Sequence, residues 1–136
     1  MRTAAWLRFI VVALACVTQA CRRAAETPAA RPDGEARLVI VDPGHFHASL
    51  VQKDMYPEVS PRVSVYAPLG PELLDYLNRV YVFNTRPANP TRWKLDVHAA
   101  PDFFEQIPGA RPGNVAVFAG RNREKIGRIV RSLEAG

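Results

Sequence analysis

An aspartate and two histidines lie close together where a hydrophobic run gives way to a glycine-containing turn. The segment Asp42–Ala48 reads Asp-Pro-Gly-His-Phe-His-Ala and directly follows the apolar run 38–41. Carboxylate and neutral imidazole are zinc ligands as well as acid/base groups. Gly44 permits close approach of a ligand to the main chain, and unpaired N–H groups at a helix start attract anions. This segment therefore indicates either an anion site or a metal site.

The surrounding pattern predicts the elements that position this segment. Strands are predicted over 37–42, 62–67, 93–99 and 114–119, helices over 45–55, 71–83 and 121–135, and a short helical turn over 102–106. The predicted buried faces are Phe46, Leu50 and Val51 in the first helix, Leu73, Leu77, Val80 and Tyr81 in the second, and Ile126, Ile129, Val130 and Leu133 in the last. Strands that alternate with helices, without hairpin signals, predict an α/β fold with a parallel sheet of about four strands and flanking helices.

The first part of the chain has the features of an export signal. Residues 1–20 combine two arginines with a short apolar run, which predicts a signal peptide. Thr18-Gln19-Ala20-Cys21 resembles a bacterial lipobox, so Cys21 is the expected lipidation site. The small residues 13–15 leave ordinary cleavage open, and an uncleaved anchor is a third alternative. We expect an exported protein, periplasmic or at the cell surface, held to the membrane by a lipid, with a linker over 21–36 and a domain over 37–136.

Composition narrows the chemistry of that domain. Both cysteines, Cys16 and Cys21, belong to the predicted leader, so the domain has no thiol for a nucleophile or for a zinc ligand. The formal net charge is +5 for the whole chain and is lower once the leader arginines are removed. The basic cluster over 121–131 is interpreted as a solvated helix face, and no nucleic-acid reading element is present, so we expect no nucleic-acid partner.

The turn after the first strand keeps part of a dinucleotide-binding pattern. The three glycines of G-x-G-x-x-G fall on Asp42, Gly44 and His47, so one of them is retained. The second strand ends at Tyr66-Ala67-Pro68, without the acidic residue that holds ribose hydroxyls. Asp42 also places a negative charge near the phosphate position, which is unfavourable unless another group compensates it.

Three stretches carry a resemblance to a known family. They are 41–50 (Val-Asp-Pro-Gly-His-Phe-His-Ala-Ser-Leu), 81–87 (Tyr-Val-Phe-Asn-Thr-Arg-Pro) and 119–123 (Ala-Gly-Arg-Asn-Arg). With them, the segment 38–136 resembles the N-terminal nucleotide-binding domain of a divergent branch of the Gfo/Idh/MocA oxidoreductases. The resemblance implies a Rossmann-like fold and NAD or NADP as the cofactor.

The resemblance also implies which residues face the cofactor. The expected cofactor-binding residues are Asp42, Gly44, His45, Phe46, His47, Gly120, Arg121 and Asn122. Members of the family continue beyond the position of Gly136 into a catalytic Lys-Pro motif and a substrate-binding domain. We therefore expect residues 38–136 to bind a nucleotide without turning over a substrate. The resemblance assigns no catalytic residue to this stretch.

Two alternatives remain open from the sequence. The strand-Asp-Pro-Gly-His pattern also resembles the opening of zinc-dependent N-acetylmuramoyl-L-alanine amidases, for which the ligand candidates are His45, Glu58 and His98. The other alternative is a surface-tethered domain that binds a ligand or partner without catalysis. The sequence does not predict an oligomeric state.

Overall fold

The computed structural model describes residues 35–136. The predicted signal peptide, most of the predicted linker and Cys21 lie outside the described residues. Residues 35 and 36, assigned to the linker from the sequence, already contact the domain. The Ala36 N–H donates to the Glu58 carbonyl at 2.9 Å, and the Asn114 side-chain amide donates to the Glu35 carbonyl at 3.3 Å.

The chain alternates between strands and helices. In order, the elements are β1 (Leu38–Val41), α1 (His47–Leu50), β2 (Arg62–Ala67), α2 (Pro71–Thr85), β3 (Lys94–Ala99), α3 (Ile107–Ala110), β4 (Val115–Phe118) and α4 (Lys125–Glu134). The strands form one sheet in the order β3-β2-β1-β4, and every neighbouring pair is parallel. The predicted α/β fold with a four-stranded parallel sheet is therefore confirmed. Within residues 35–136, no helix has the length and apolar character needed to cross a bilayer.

The strand order creates a point at which the chain changes direction across the sheet. From β1 the chain proceeds outward to β2 and β3, and then returns to place β4 on the other side of β1. The loops that leave the carboxyl ends of β1 and β4 therefore run to opposite sides and open a crevice between them. Open α/β sheets bind their ligands at such a switch point.

Both faces of the central strand β1 are buried, as expected for a parallel sheet covered on both sides. Leu38 and Ile40 pack with α2, whereas Val39 and Val41 pack with Phe103 and Phe104 of the β3–β4 connection. All four residues of β1 are buried, so apolar packing on both faces supports the strand whose carboxyl end leads into the turn at Asp42.

Helix α2 follows the predicted pattern with one exception. Gly70 precedes the helix and Pro71 occupies its first turn, where a missing N–H costs nothing. Leu73 and Val80 are buried as predicted, but Tyr76 takes the buried position that was predicted for Tyr81. Tyr81 is 64% exposed, so that prediction is wrong.

Helix α1 is shorter than predicted and rotated relative to the prediction. It comprises four residues, and Phe46, Leu50 and Val51 are exposed rather than buried. Ala48, Ser49 and Gln52 are buried instead. Gln52 is buried because residues distant in sequence supply its hydrogen bonds. Its side-chain oxygen accepts from the Tyr76 hydroxyl, and its main-chain carbonyl accepts from the Trp93 indole at 2.6 Å.

Helix α4 presents its charged face to the rest of the domain. The Arg128 guanidinium lies 4.8 Å from the Phe103 ring centroid, and that of Arg131 lies 4.8 Å from the Phe104 ring centroid. The predicted buried stripe is wrong, since Ile126 and Leu133 are exposed. Val130 is also exposed and Ile129 is half-buried. No part of residues 35–136 covers this apolar face, and arginine–aromatic contacts anchor the helix in its place.

Candidate functional site

A cavity of about 330 Å³ lies at the carboxyl ends of β1 and β4, where the strand order changes direction. His45 and His47 line it from the segment after β1. Gly120 and Arg121 line it from the segment after β4, and Lys125 from the first turn of α4. The lining therefore combines one arginine and one lysine, both positively charged, with two imidazoles, which suits an anionic ligand.

The two histidines form a stacked pair on this cavity. Their ring centroids are 4.3 Å apart with the planes 5° from parallel, and the two Nδ1 atoms are 2.5 Å apart. Partial desolvation lowers the pKa of His45 below its ordinary value, and the nearby charges of His47, Arg121 and Lys125 lower it further. The neutral form of His45 is therefore favoured when no ligand is bound.

Asp42 does not line the cavity, and its carboxylate is bonded to other side chains. It adopts a φ of 51°, a left-handed conformation that aspartate and asparagine tolerate better than most residues. Its Oδ2 atom accepts hydrogen bonds from the Asn122 amide at 2.6 Å and from the Arg128 guanidinium at 3.0 Å. These two donors compensate the charge of Asp42, and Arg128 connects the residue after β1 to α4.

Two glycines allow the loops after β1 and β4 to approach one another. A Cβ on Gly120 would lie 2.8 Å from the Asp42 carboxyl carbon, so a larger residue cannot be placed there without movement. A Cβ on Gly44 would lie 3.5 Å from the main-chain nitrogen of Arg121, which is an ordinary contact that leaves room for alanine. The Gly44 N–H donates to the Asp42 carbonyl at 2.8 Å, so it is used within the turn.

The expected cofactor-binding residues therefore separate into three groups. His45, His47, Gly120 and Arg121 line the cavity. Asp42, Gly44 and Asn122 do not line it but contact residues nearby: Gly44 lies against Arg121, Asp42 lies against Gly120, and Asn122 donates a hydrogen bond to Asp42. Phe46 is half exposed and its ring packs on that of His47, with the centroids 4.1 Å apart, so it supports the histidine pair from outside.

Sequence reasoning missed two residues of the site. Lys125 lines the cavity and Arg128 pairs with Asp42, although both were assigned to a solvated basic face. The Arg128 side chain is only 17% exposed. The available signal was their distance from the end of the fourth predicted strand, because residues in the first turn of the following helix lie beside the crevice of such a sheet.

The residues expected for a zinc hydrolase do not come together. The Glu58 main chain pairs with Ala36, at the amino end of the sheet, opposite the edge that holds His45. His98 lies on the outer strand β3, where its ring stacks on Tyr66 with the centroids 4.4 Å apart. Across residues 35–136, no three histidine, cysteine, aspartate or glutamate side chains are grouped as metal ligands would be. The zinc alternative therefore loses its ligand set.

Comparison with known proteins gives one solved structure that resembles the chain strongly. It is a crystal structure from Parabacteroides merdae described as a "putative oxidoreductase", with a TM-score of 0.73 and 48% sequence identity. The match covers 76% of the present chain and 24% of that protein, so the chain spans about a quarter of its length. No family model and no curated protein matches the chain. Residues 35–136 accordingly form an oxidoreductase-like α/β domain.

Proposed function

We propose that this domain binds NAD or NADP as the nucleotide-binding part of an oxidoreductase of the Gfo/Idh/MocA type. The single observation that carries the proposal is the cationic cavity at the β1/β4 switch point, where Arg121 and Lys125 converge with the histidine pair. An oxidoreductase-like fold and a cavity at the ligand-binding edge of the sheet together favour a nucleotide over other anions. A bound nicotinamide would supply hydride transfer.

The residues present fit the diphosphate of such a cofactor better than its adenosine end. A cavity of about 330 Å³ is at the lower end of the usual range for ligand sites, so it suits one part of a dinucleotide better than the whole molecule. Arg121 and Lys125 would hold the diphosphate by charge. The end of β2, at Tyr66-Ala67-Pro68, offers no carboxylate to the ribose hydroxyls. Binding energy is therefore concentrated on the diphosphate.

The first experiment measures the binding of NAD(H) and NADP(H) to the full chain by calorimetry and by reduced-nicotinamide fluorescence. Arg121→Ala should weaken binding about tenfold, since a charge-assisted hydrogen bond contributes about 1.5–3 kcal/mol before solvent screening. Arg92→Ala is the matched control, because Arg92 is an exposed arginine just before β3, at the opposite end of the sheet. Absence of saturable binding by any of the four nucleotides would overturn the proposal.

A second pair of variants tests the close approach of the two loops. Gly44→Leu should reduce nucleotide affinity, because a long side chain would displace the main chain at Arg121 and distort the cavity. Gly44→Ala is the control that should bind nearly as well as the natural protein, since its Cβ makes only an ordinary contact. If both variants bind equally well, Gly44 does not lie at the ligand.

We also propose that the protein is exported and anchored by a lipid on Cys21. The support is the signal-like composition of residues 1–20 and the lipobox-like residues before Cys21. Metabolic labelling with a radioactive fatty acid should mark the natural chain and the Cys16→Ser control but not Cys21→Ser. Labelling of Cys21→Ser at the natural level would contradict the anchor.

A further inference from the structure

The histidine pair is the least ordinary feature of the cavity. Neutral imidazole has one N–H donor and one acceptor nitrogen, and two Nδ1 atoms this close leave room for a proton on at most one of them. If both Nδ1 atoms carried protons, the short contact would become repulsive. The pair therefore accepts a further proton only at another ring nitrogen, and the added positive charge must be compensated from outside.

The groups that face the pair are all cationic or neutral. His47 faces His45 from the same segment, Arg121 faces it from the loop after β4, and Lys125 faces it from α4. The carboxylate at the start of the same segment, that of Asp42, is already bonded to Asn122 and Arg128. No aspartate or glutamate among residues 35–136 lines the cavity, and the pKa of His45 is lowered by partial desolvation and by the positive charges nearby.

A bound diphosphate would reverse this balance. It would place two negative charges among Arg121, Lys125 and the histidine pair, where opposite charges at short range favour the protonated form of imidazole. The proton would come from solvent and would enter the pair at an unprotonated ring nitrogen, and no bond of the ligand would break. Neutral ligands of the same size would supply no such charge.

We propose that His45 and His47 are the specificity-determining residues of this cavity, which select a diphosphate and take up a proton from solvent when it binds. This inference rests on the proposed nucleotide-binding function and adds a linked proton to it. It also gives a physical reason for the histidines at positions where a glycine-rich turn would hold the phosphates through main-chain N–H groups alone.

The test uses NAD⁺ as the probe, because its diphosphate does not titrate near neutral pH. Calorimetry on the full chain in buffers of different ionisation enthalpy measures both the affinity and the number of protons taken up. We expect affinity to rise about tenfold as the pH falls by one to two units through the region in which imidazole titrates. Proton uptake equals the slope of log affinity against pH, so it should average about 0.5 to 1 per bound NAD⁺ within this range.

Three variants locate the linked proton. His45→Gln and His47→Gln should each remove most of the proton uptake while retaining binding at high pH, because Arg121 and Lys125 remain. His98→Gln is the control, since His98 lies on the outer strand β3 and should leave the pH dependence unchanged. If a glutamine variant folds poorly, histidine ring proton shifts of the natural protein, recorded by NMR with and without NAD⁺, should report the same increase in protonation.

The outcomes separate the two proposals. Binding of NAD⁺ that is independent of pH, or proton uptake that persists in both glutamine variants, would overturn the role of the histidine pair and leave nucleotide binding intact. Absence of NAD⁺ binding at every pH would overturn the role of the pair too. Only absence of binding by all the nucleotides would end the broader proposal.

Discussion

Replacing Asp42 by asparagine is expected to destabilise the domain by about 2 kcal/mol while leaving its shape intact. The Asp42 carboxylate accepts from both Asn122 and Arg128, and it is the link between the end of β1 and α4. Asparagine suits this test because it has nearly the same size and tolerates the positive φ of 51° at this position. The substitution therefore removes the charge without adding backbone strain.

The magnitude follows from the burial of the ion pair. The Asp42 and Arg128 side chains are 15% and 17% exposed, so the pair is neither at the surface nor fully enclosed. Removing one partner of a buried pair costs about 3–5 kcal/mol, whereas an exposed pair contributes about 0–1 kcal/mol. An intermediate value of about 2 kcal/mol is expected, because the amide oxygen of the variant can still accept a weaker hydrogen bond.

Urea unfolding followed by circular dichroism provides the assay, with Arg128→Met and the double variant completing a thermodynamic cycle. The coupling between the two positions should be about 1–2 kcal/mol. The chain contains a matched control in the exposed pair Asp75–Arg79, whose side chains are 57% and 44% exposed. The same cycle on that pair should give no more than about 0.5 kcal/mol.

The outcome that would refute the reasoning is a coupling between Asp42 and Arg128 as small as that of the exposed pair. In that case the carboxylate would not be committed to Arg128. Its charge would then be free to repel a phosphate in the cavity, and both proposals for this site would be weakened.

Three further predictions concern the loop at Gly120, the exposed face of α4 and the buried phenol of Tyr76. Gly120→Ala should lower the stability measured by urea unfolding by about 1–3 kcal/mol, because the new Cβ would collide with the Asp42 carboxylate; a neutral result would mean that the two loops are further apart. Leu133→Ser should change stability by less than about 0.5 kcal/mol, whereas Ile40→Ala should cost about 2–5 kcal/mol, and equal losses would show that the α4 face is covered. Burial raises the pKa of Tyr76 well above 10.0, so at high pH the folded state keeps a proton that the unfolded state releases. The free energy of unfolding should therefore fall as the pH rises above about 10. The fall should be smaller in Tyr76→Phe, and a fall of equal size would contradict the role of Tyr76.

Elements whose stability depends on local pattern were predictable from the sequence. The run Arg62–Ala67 was predicted with the bounds that β2 has, and α2 begins at the predicted Pro71. In both cases the signal is contained in neighbouring residues: β-branched residues in the strand, and proline at the first helical turn. The strand–helix alternation then limited the topology to a parallel sheet, which the structure confirms.

The faces of α1 and α4 were not predictable, because their partners are distant in sequence. Gln52 is buried since Tyr76 and Trp93 supply its hydrogen bonds, and neither lies within the pattern around α1. In α4 the apolar spacing indicates a face that requires cover, but the contacts that fix the helix are arginines on the rings of Phe103 and Phe104. Periodicity identifies an amphipathic helix without specifying which face meets the core.

The loss of two of the three fingerprint glycines has a structural explanation that the sequence alone did not provide. Asp42 occupies the first glycine position, and its charge is balanced by Arg128, a residue far along the chain. His47 occupies the third position and is paired with His45. Each replacement thus has a partner, and between them lies a cavity lined by side-chain cations. On the proposed function, this corner of the sheet would hold a phosphate through side chains rather than through a main-chain cradle, so its affinity should vary with pH and salt.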